Sequence, residues 1–219
     1  MAPDNPIFNL FAAGGVVMFP LLAFSILAIA LIIERVIFWL RLGSYQNSVV
    51  AEALKLYRDN NVVGTLECLR KNTDLPIVRI FLVALELDRP NPEDFRLALE
   101  SAAQAEIPLL KRFQNIFETI ISLAPLLGLL GTVLGLINAF RNLNIGSIGG
   151  AENQVGGISE ALVSTASRLV VAIITLLFAN TFRGLYLRQI AQIQEYGGQL
   201  ELIYRRYYQR GDTNYAPTR

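Results

Sequence analysis

Three long runs of apolar residues stand out in the pattern of polar and apolar positions along the chain. Residues 16–33 and 120–140 carry no charged side chain, and residues 161–182 carry one, Arg168. Each run has 18 to 22 residues, close to the ~20 that an α-helix needs to cross a hydrocarbon core of ~30 Å. Three such runs in 219 residues argue against buried core helices, and the first lacks the positive flank of a signal peptide. The pattern predicts an all-α membrane protein with three transmembrane helices and long cytoplasmic helical extensions.

Positive charges set the expected orientation of these helices. Arg35 and Arg41 follow the first run, and Lys111 and Arg112 precede the second. Arg141 is the one positive charge between the second and third runs. Because cytoplasmic loops are enriched in Lys and Arg, we expect the N-terminus outside, with the large loop and the C-terminal tail in the cytoplasm.

The expected boundaries follow from the runs and from the polar stretches between them. We assign 1–15 to an N-terminal periplasmic or interfacial segment, 16–40 to the first transmembrane helix, 41–112 to a cytoplasmic helical region, 113–140 to the second transmembrane helix, 141–158 to a periplasmic connection, 159–182 to the third transmembrane helix, and 183–219 to a cytoplasmic helical tail with a disordered end.

Apolar residues outside the spans also recur at helical spacing. Asn91-Pro92-Glu93-Asp94 has the residues of a helix N-terminus, and we expect that helix to kink at Pro108 and run on toward the second span. Beyond the third span a heptad pattern predicts a helical seam, which could pack on the other cytoplasmic helices or on a copy of itself. The seam consists of Tyr186, Ile190, Ile193, Gly197, Leu200, Tyr204 and Tyr207.

Composition narrows the function classes. The chain is 53% apolar and 17% charged, against about 25% charged in soluble domains. A net charge of +1 gives no basic excess for binding nucleic acid. One cysteine, Cys68, and no histidine exclude a disulfide scaffold and argue against a zinc site. We predict no metal and no cofactor, and we expect no enzymatic activity, because the sequence shows no cluster of acid, base and nucleophile at a membrane face.

The second span contains small and polar residues. Gly128, Gly131 and Gly135 would let another helix approach closely, either for packing alone or beside a transport path. Thr132 lies among them, and its hydroxyl could bond a carbonyl of its own helix or line such a path.

The third span carries a polar stripe that begins at Glu160 and continues through Ser164, Ser167 and Thr175. At about 100° per residue these positions lie within about 80° of one another, so the stripe should face protein or water rather than lipid. Glu160 follows Ser159 and could be an acid in the first turn of a helix capped by that serine, or a proton-carrying group.

Two motifs resemble a known family. APLLGLLGTVLGLINAF at 124–140 and GGISEALVSTA at 156–166 are similar to the hallmark motifs of the MotA/TolQ/ExbB proton channel family, with the closest similarity to its ExbB/TolQ branch. Three spans with a large loop after the first also resemble the layout of that branch.

The resemblance implies a subunit of an inner-membrane complex that couples the proton-motive force to work across the envelope, such as outer-membrane transport. It implies that five copies of the chain form a homopentamer that contacts membrane lipid. The pentamer would surround a dimer of a single-span partner of the ExbD or TolR kind, and a TonB-like protein is a further expected partner. By motif position it assigns the essential glutamate to Glu160 and the two pathway threonines to Thr132 and Thr165, beside an aspartate of the partner.

Two positions depart from the family pattern TAxGLxxAIPA. Arg168 replaces the glycine and Ile174 replaces the proline. A buried guanidinium is costly in a bilayer and keeps its proton, so Arg168 should either pair with a carboxylate of another subunit or bond carbonyls at a helix interface. The departures leave open a non-conducting membrane scaffold of the same fold.

Overall fold

The computed structural model describes residues 18–141 and 150–211, and within them all side chains except those at 18, 21, 44, 135, 138–141, 150–164 and 167. Six helices follow one another in this part of the chain: α1 (Met18–Arg58), α2 (Val62–Arg70), α3 (Pro76–Leu85), α4 (Pro92–Leu110), α5 (Gln114–Arg141) and α6 (Gly150–Arg210). The described residues contain no strand, and three helices are long and apolar enough to cross a membrane. The predicted all-α fold with three transmembrane helices is therefore confirmed.

Several expectations concern residues outside this description. The N-terminal segment 1–15 and the disordered end expected for the tail lie there, as does all of 142–149 in the expected periplasmic connection. The helix α6 starts at Gly150, before the expected start at 159, where Ser159 was considered as a helix cap. The chain stays helical through Gly156 and Gly157, since helix propensity is a weak constraint within a long helix.

The helix that begins at Pro92 ends sooner than expected. It includes Pro108 and stops at Leu110, and α5 begins only at Gln114. Between them Phe113 has a positive φ of 68°, a conformation that an α-helix does not contain. The expectation of a helix running on toward the second span was wrong, because the chain turns at 111–113.

The described residues form two compact units. The membrane unit comprises the described residues within 1–34 and 113–182, and the extramembrane unit comprises those within 35–112 and 183–219. In the membrane unit, Ala28, Ile120, Ala124 and Ala172 are buried, while many large apolar side chains of the same helices are exposed. Such a surface is expected of helices that face lipid or another subunit.

The core of the extramembrane unit forms around α3. This helix packs on α4 and on α2 and buries nearly all of its apolar residues. Asn91 caps α4 by accepting a hydrogen bond from the Asp94 amide, with Pro92 in the first turn, so the N-terminus predicted there is confirmed.

The second half of the heptad seam also packs in this unit. Tyr204 stacks on Phe95 with ring centroids 4.0 Å apart, and its hydroxyl donates to the Pro90 carbonyl. The Tyr207 hydroxyl donates to the Tyr57 carbonyl at 3.1 Å. Of the two partners considered for the seam, this half therefore packs on helices of its own chain.

An ion pair between α3 and α4 gives a prediction about stability. Arg79 donates to Glu106 from Nε at 2.7 Å and from Nη2 at 2.5 Å, and these bonds raise the pKa of Arg79 above its ordinary value. The Glu106 side chain is only 10% exposed and that of Arg79 is 35% exposed. Arg79→Met should cost about 2 kcal/mol, less than the ~3–5 kcal/mol of a fully buried pair, because water still reaches the arginine.

Hydrogen exchange of the full chain in detergent measures this local stability. The matched control is Arg70→Met, because Arg70 pairs with Glu86 while both side chains are exposed, and surface pairs contribute about 0–1 kcal/mol. Equal protection of the α3 amides in the two variants would contradict the prediction.

Candidate functional site: an arginine in a glycine notch

Arg168 is the most deeply buried charged group of the membrane unit's described residues. It lies on α6 with 1% of its surface exposed. Its Nη1 donates to the Leu127 carbonyl at 2.9 Å and to the Gly128 carbonyl at 3.2 Å, both on α5. Of the two kinds of partner considered for this arginine, the structure therefore provides main-chain carbonyls at a helix interface.

Gly128 and Gly131 make room for this side chain, and we call the space over them the glycine notch. A Cβ added at Gly131 would lie 2.5 Å from Nη1 of Arg168, and one added at Gly128 would lie 3.3 Å from its Cδ. Carbon and nitrogen atoms cannot approach to 2.5 Å without a bond, so Gly131 can hold no side chain while Arg168 keeps this position. The surroundings of Gly135, the third glycine of the predicted packing face, lie outside the described side chains.

The geometry explains how α5 can accept a guanidinium. A helix carbonyl uses one lone pair for its own i+4 hydrogen bond, which leaves a second lone pair for an outside donor. The missing side chains of the notch expose these oxygens to Nη1. Because a buried charge without hydrogen bonds is costly, the notch stabilises Arg168 through main-chain oxygens.

The two predicted pathway threonines lie on the two helices that this arginine joins. The Thr132 hydroxyl, one residue after the notch on α5, donates to the Leu129 carbonyl at 2.7 Å. It thus bonds a carbonyl of its own helix, one of the two arrangements considered for it. Thr165, on α6, is half-buried.

Thr175 is a further polar residue of the membrane interior. It is 1% exposed and donates to the Val171 carbonyl at 2.8 Å. Arg168 and Thr175 are seven residues apart, which places them about 20° apart around α6. Thr175 is buried, as expected for a member of the polar stripe, and Arg168, which was not assigned to the stripe, is buried on the same side of α6.

Glu160 lies within α6, and its side chain lies outside the described side chains. Because α6 begins at Gly150, Glu160 follows nearly three turns of helix. The stabilisation of acids at a helix N-terminus is confined to the first turn, so the interpretation of Glu160 as a first-turn acid was wrong. Glu160 and Arg168 are eight residues apart, about 12 Å along the helix axis.

Together these features define a class: a helical membrane protein of several spans that keeps polar and charged groups in its interior. Ionisable residues inside spans are characteristic of proteins that move ions or substrates. Among the described residues, no group of three His, Cys, Asp or Glu side chains lies close enough to hold a metal ion.

Comparison with known proteins agrees with this class. A model of the MotA/TolQ/ExbB proton channel family matches residues 72–195. The ExbB-like 3 biopolymer transport protein of Synechocystis sp. is 58% identical over 210 residues, covering 94% of this chain and 100% of the relative. ExbB-like 1 of Synechocystis sp. is 45% identical over 198 residues, covering 89% and 78%. The Tol-Pal system protein TolQ of Haemophilus influenzae is 34% identical over 104 residues, covering 48% and 44%.

The chain belongs to the MotA/TolQ/ExbB proton channel family, in its ExbB/TolQ branch. The resemblance of the two motifs is thereby confirmed. In general terms, the protein is an energy-transducing proton channel component and a multi-pass protein of the bacterial inner membrane. Its family is one of transport and channel proteins, not of enzymes.

Sequence reasoning named carbonyls as one kind of partner for Arg168 but did not identify them as those of Leu127 and Gly128. A sequence does not indicate which main-chain oxygens accept a bond from a side chain, since every residue has one. A signal was nevertheless present in the combination of a charged residue in one span and two glycines, three residues apart, in the preceding span.

Proposed function

We propose that this chain is the proton-conducting motor subunit of an ExbB/TolQ-like inner-membrane complex, which uses the proton-motive force to drive mechanical work across the envelope, as in energising outer-membrane transport. Family membership supports the general role. The names of the relatives, biopolymer transport proteins and a Tol-Pal system protein, support the kind of work.

The observation that carries this proposal is the position of Arg168. A positive charge that projected into a proton path would oppose cations there. The Nη1 of Arg168 instead bonds the α5 carbonyls of its own subunit, and the side chain is almost fully enclosed. An arginine held in this way is compatible with a path elsewhere along α6, which favours a conducting subunit over a non-conducting scaffold.

The proposed path uses the residues that the family motifs assign. Glu160 carries the proton, and Thr132 and Thr165 line the route beside an aspartate of the partner. A carboxylate is the suitable carrier because the chain has no histidine, and carboxylates are the remaining groups that titrate readily near neutral pH.

Proton flux in liposomes tests the proposal. The chain and its co-purified single-span partner should together dissipate an imposed pH gradient, and the chain alone should not. Absence of flux from the assembled pair under a pH gradient and a membrane potential would favour the scaffold, for which the replacement of the family glycine by Arg168 is the supporting observation.

Assembly gives a separate prediction. We expect five copies of this chain around two copies of an ExbD- or TolR-like protein, with a TonB-like protein as a further partner. The exposed apolar side chains of α1, α5 and α6, such as Ile29, Leu129 and Ile173, would be covered in part by neighbouring subunits. Native mass spectrometry from mild detergent should show the five-to-two complex, and monomer or dimer across several detergents would contradict it.

The orientation of the chain in the membrane gives another prediction. The proposed topology has a periplasmic N-terminus and a cytoplasmic C-terminus, following the positive charges. A reporter fused after residue 219 or inserted near Asn72, between α2 and α3, should report cytoplasm, and one near Gly150 should report periplasm. A periplasmic signal at Asn72 would overturn the topology and with it the proposed direction of work.

A further inference from the structure

A cavity of about 140 Å³ lies between α1 and α6 in the extramembrane unit. Trp39, Gln46, Leu185, Arg188, Gln189 and Gln192 are among the residues that line it. Cofactor and drug-sized pockets are about 300–1,000 Å³, so this cavity suits a small chemical group rather than a whole cofactor.

The side-chain oxygens of the glutamines in this cavity already accept hydrogen bonds from other glutamines. Gln46 and Gln189 are 2% and 4% exposed and exchange hydrogen bonds, Gln189 donating at 2.8 Å and Gln46 at 3.2 Å. Gln46 also donates to Oε1 of Gln192 at 3.4 Å. The side-chain oxygen of each glutamine thus already accepts a hydrogen bond, while the amide nitrogen of Gln192 still has hydrogens to donate.

Two further donors at the cavity have no acceptor among the described residues. Nε1 of Trp39 is buried without a hydrogen-bond partner there, and Trp39 is only 9% exposed. A buried donor in this state costs about 1–3 kcal/mol. Arg188 lines the same cavity and makes no ion pair with any described carboxylate. No Asp or Glu is among the described lining residues.

The cavity therefore offers hydrogen-bond donors and one full positive charge, which is the chemistry that recognises an oxyanion. Trp39 lies six residues beyond the uncharged run 16–33, and Leu185 lies three residues beyond the run 161–182. Tryptophan is enriched at the headgroup level of membranes, and basic pockets between membrane helices bind lipid headgroups. We propose that this cavity binds the phosphate group of a phosphate ester, from a membrane lipid or from a soluble compound.

Trp39 makes the proposal testable because it is the chain's one tryptophan. The full chain in neutral detergent is titrated with inorganic phosphate and with glycerol phosphate, and the emission of Trp39 is recorded. The same spectrum is compared in nanodiscs of phosphatidylcholine and of an equal mixture of phosphatidylcholine and phosphatidylglycerol. We expect a saturable change with phosphate or glycerol phosphate, or a change specific to phosphatidylglycerol. The first result identifies a soluble anion as the source, and the second a lipid headgroup.

Two variants and their matched controls distinguish binding in the cavity from a general attraction of anions to the positive charges of the protein. Arg188→Gln should weaken the response about tenfold, the effect of losing one charge-assisted contact, and Arg183→Gln, which removes an exposed charge of α6 outside the cavity, should not. Gly43 lines the cavity, and a Cβ there meets no atom within 4 Å. Gly43→Leu should therefore fill the space and abolish the response, while Gly184→Leu, equally unhindered, should leave it intact.

The proposal fails if neither phosphate compounds nor phosphatidylglycerol change the emission of Trp39. It also fails if Arg183→Gln weakens the response as much as Arg188→Gln does, since the lipid would then be attracted by charge alone. Helical circular dichroism and elution as the wild-type oligomer establish that each variant is folded.

Discussion

Glu160→Gln is expected to abolish proton flux and proton-driven work while the complex still assembles. Glutamine keeps the size of the side chain and much of its hydrogen bonding but cannot titrate, so a carrier role is lost while packing is kept. Loss of an essential proton carrier should reduce flux to the level of empty liposomes. The measurement is flux through the reconstituted complex, with native mass spectrometry as the check on assembly.

The control is Glu195→Gln, an exposed carboxylate of the same helix outside the membrane unit. It makes the same chemical change and should leave flux at the wild-type level. Because the structure places Glu160 well inside α6, a loss of flux in Glu160→Gln would not be explained by weaker stabilisation of a helix N-terminus. Wild-type flux in Glu160→Gln would refute the carrier role and leave family membership untouched.

Gly131→Ala is expected to destabilise the contact between α5 and α6 by about 1–3 kcal/mol, the usual cost of overpacking. The added methyl group would lie 2.5 Å from Nη1 of Arg168, so the guanidinium must leave the notch or the helices must separate. Gly184→Ala is the matched control, since its methyl group meets nothing within 4 Å and alanine favours a helix over glycine by about 1 kcal/mol. Unfolding in detergent by increasing denaturant measures both.

A double-mutant cycle then assigns the cost to Arg168. Arg168→Met alone removes the hydrogen bonds to the Leu127 and Gly128 carbonyls but leaves these carbonyls in their helical bonds, so it should cost less than the ~3–5 kcal/mol of stranding a buried carboxylate. In the Arg168→Met background, Gly131→Ala should destabilise the contact between α5 and α6 much less than it does in the wild type. The coupling free energy between the two residues should therefore exceed about 1 kcal/mol. Additive effects would show that the two residues do not meet.

The sequence was sufficient for the number and type of the spans because continuous apolar runs of membrane length rarely occur outside membrane-spanning helices. The cap at Asn91 was equally clear, since a polar cap followed by proline and acids acts locally. The turn at 111–113 was not clear. It depends on a positive φ at Phe113, a conformation that a phenylalanine does not indicate.

The site was predictable only in its parts. The glycines of α5 and the arginine of α6 could each be named from the sequence, but their contact spans 40 residues, and nothing local connects them. The pairing of Gln46 with Gln189 spans 143 residues and involves a residue type that is common on helix surfaces. Side-chain contacts between distant helices depend on helix rotation, which spacing alone leaves undetermined.

The glycine notch also couples sequence change at two positions. An arginine at 168 can take this position only in a chain that has glycine at 131, and a side chain added at 131 would force the guanidinium out of the notch. A glycine at 168 would have no guanidinium to displace and would remove this restriction on residue 131. The effect of a substitution at one position thus depends on the residue at the other, and a methyl group at 131 that would be harmless beside a small residue at 168 should be damaging beside Arg168.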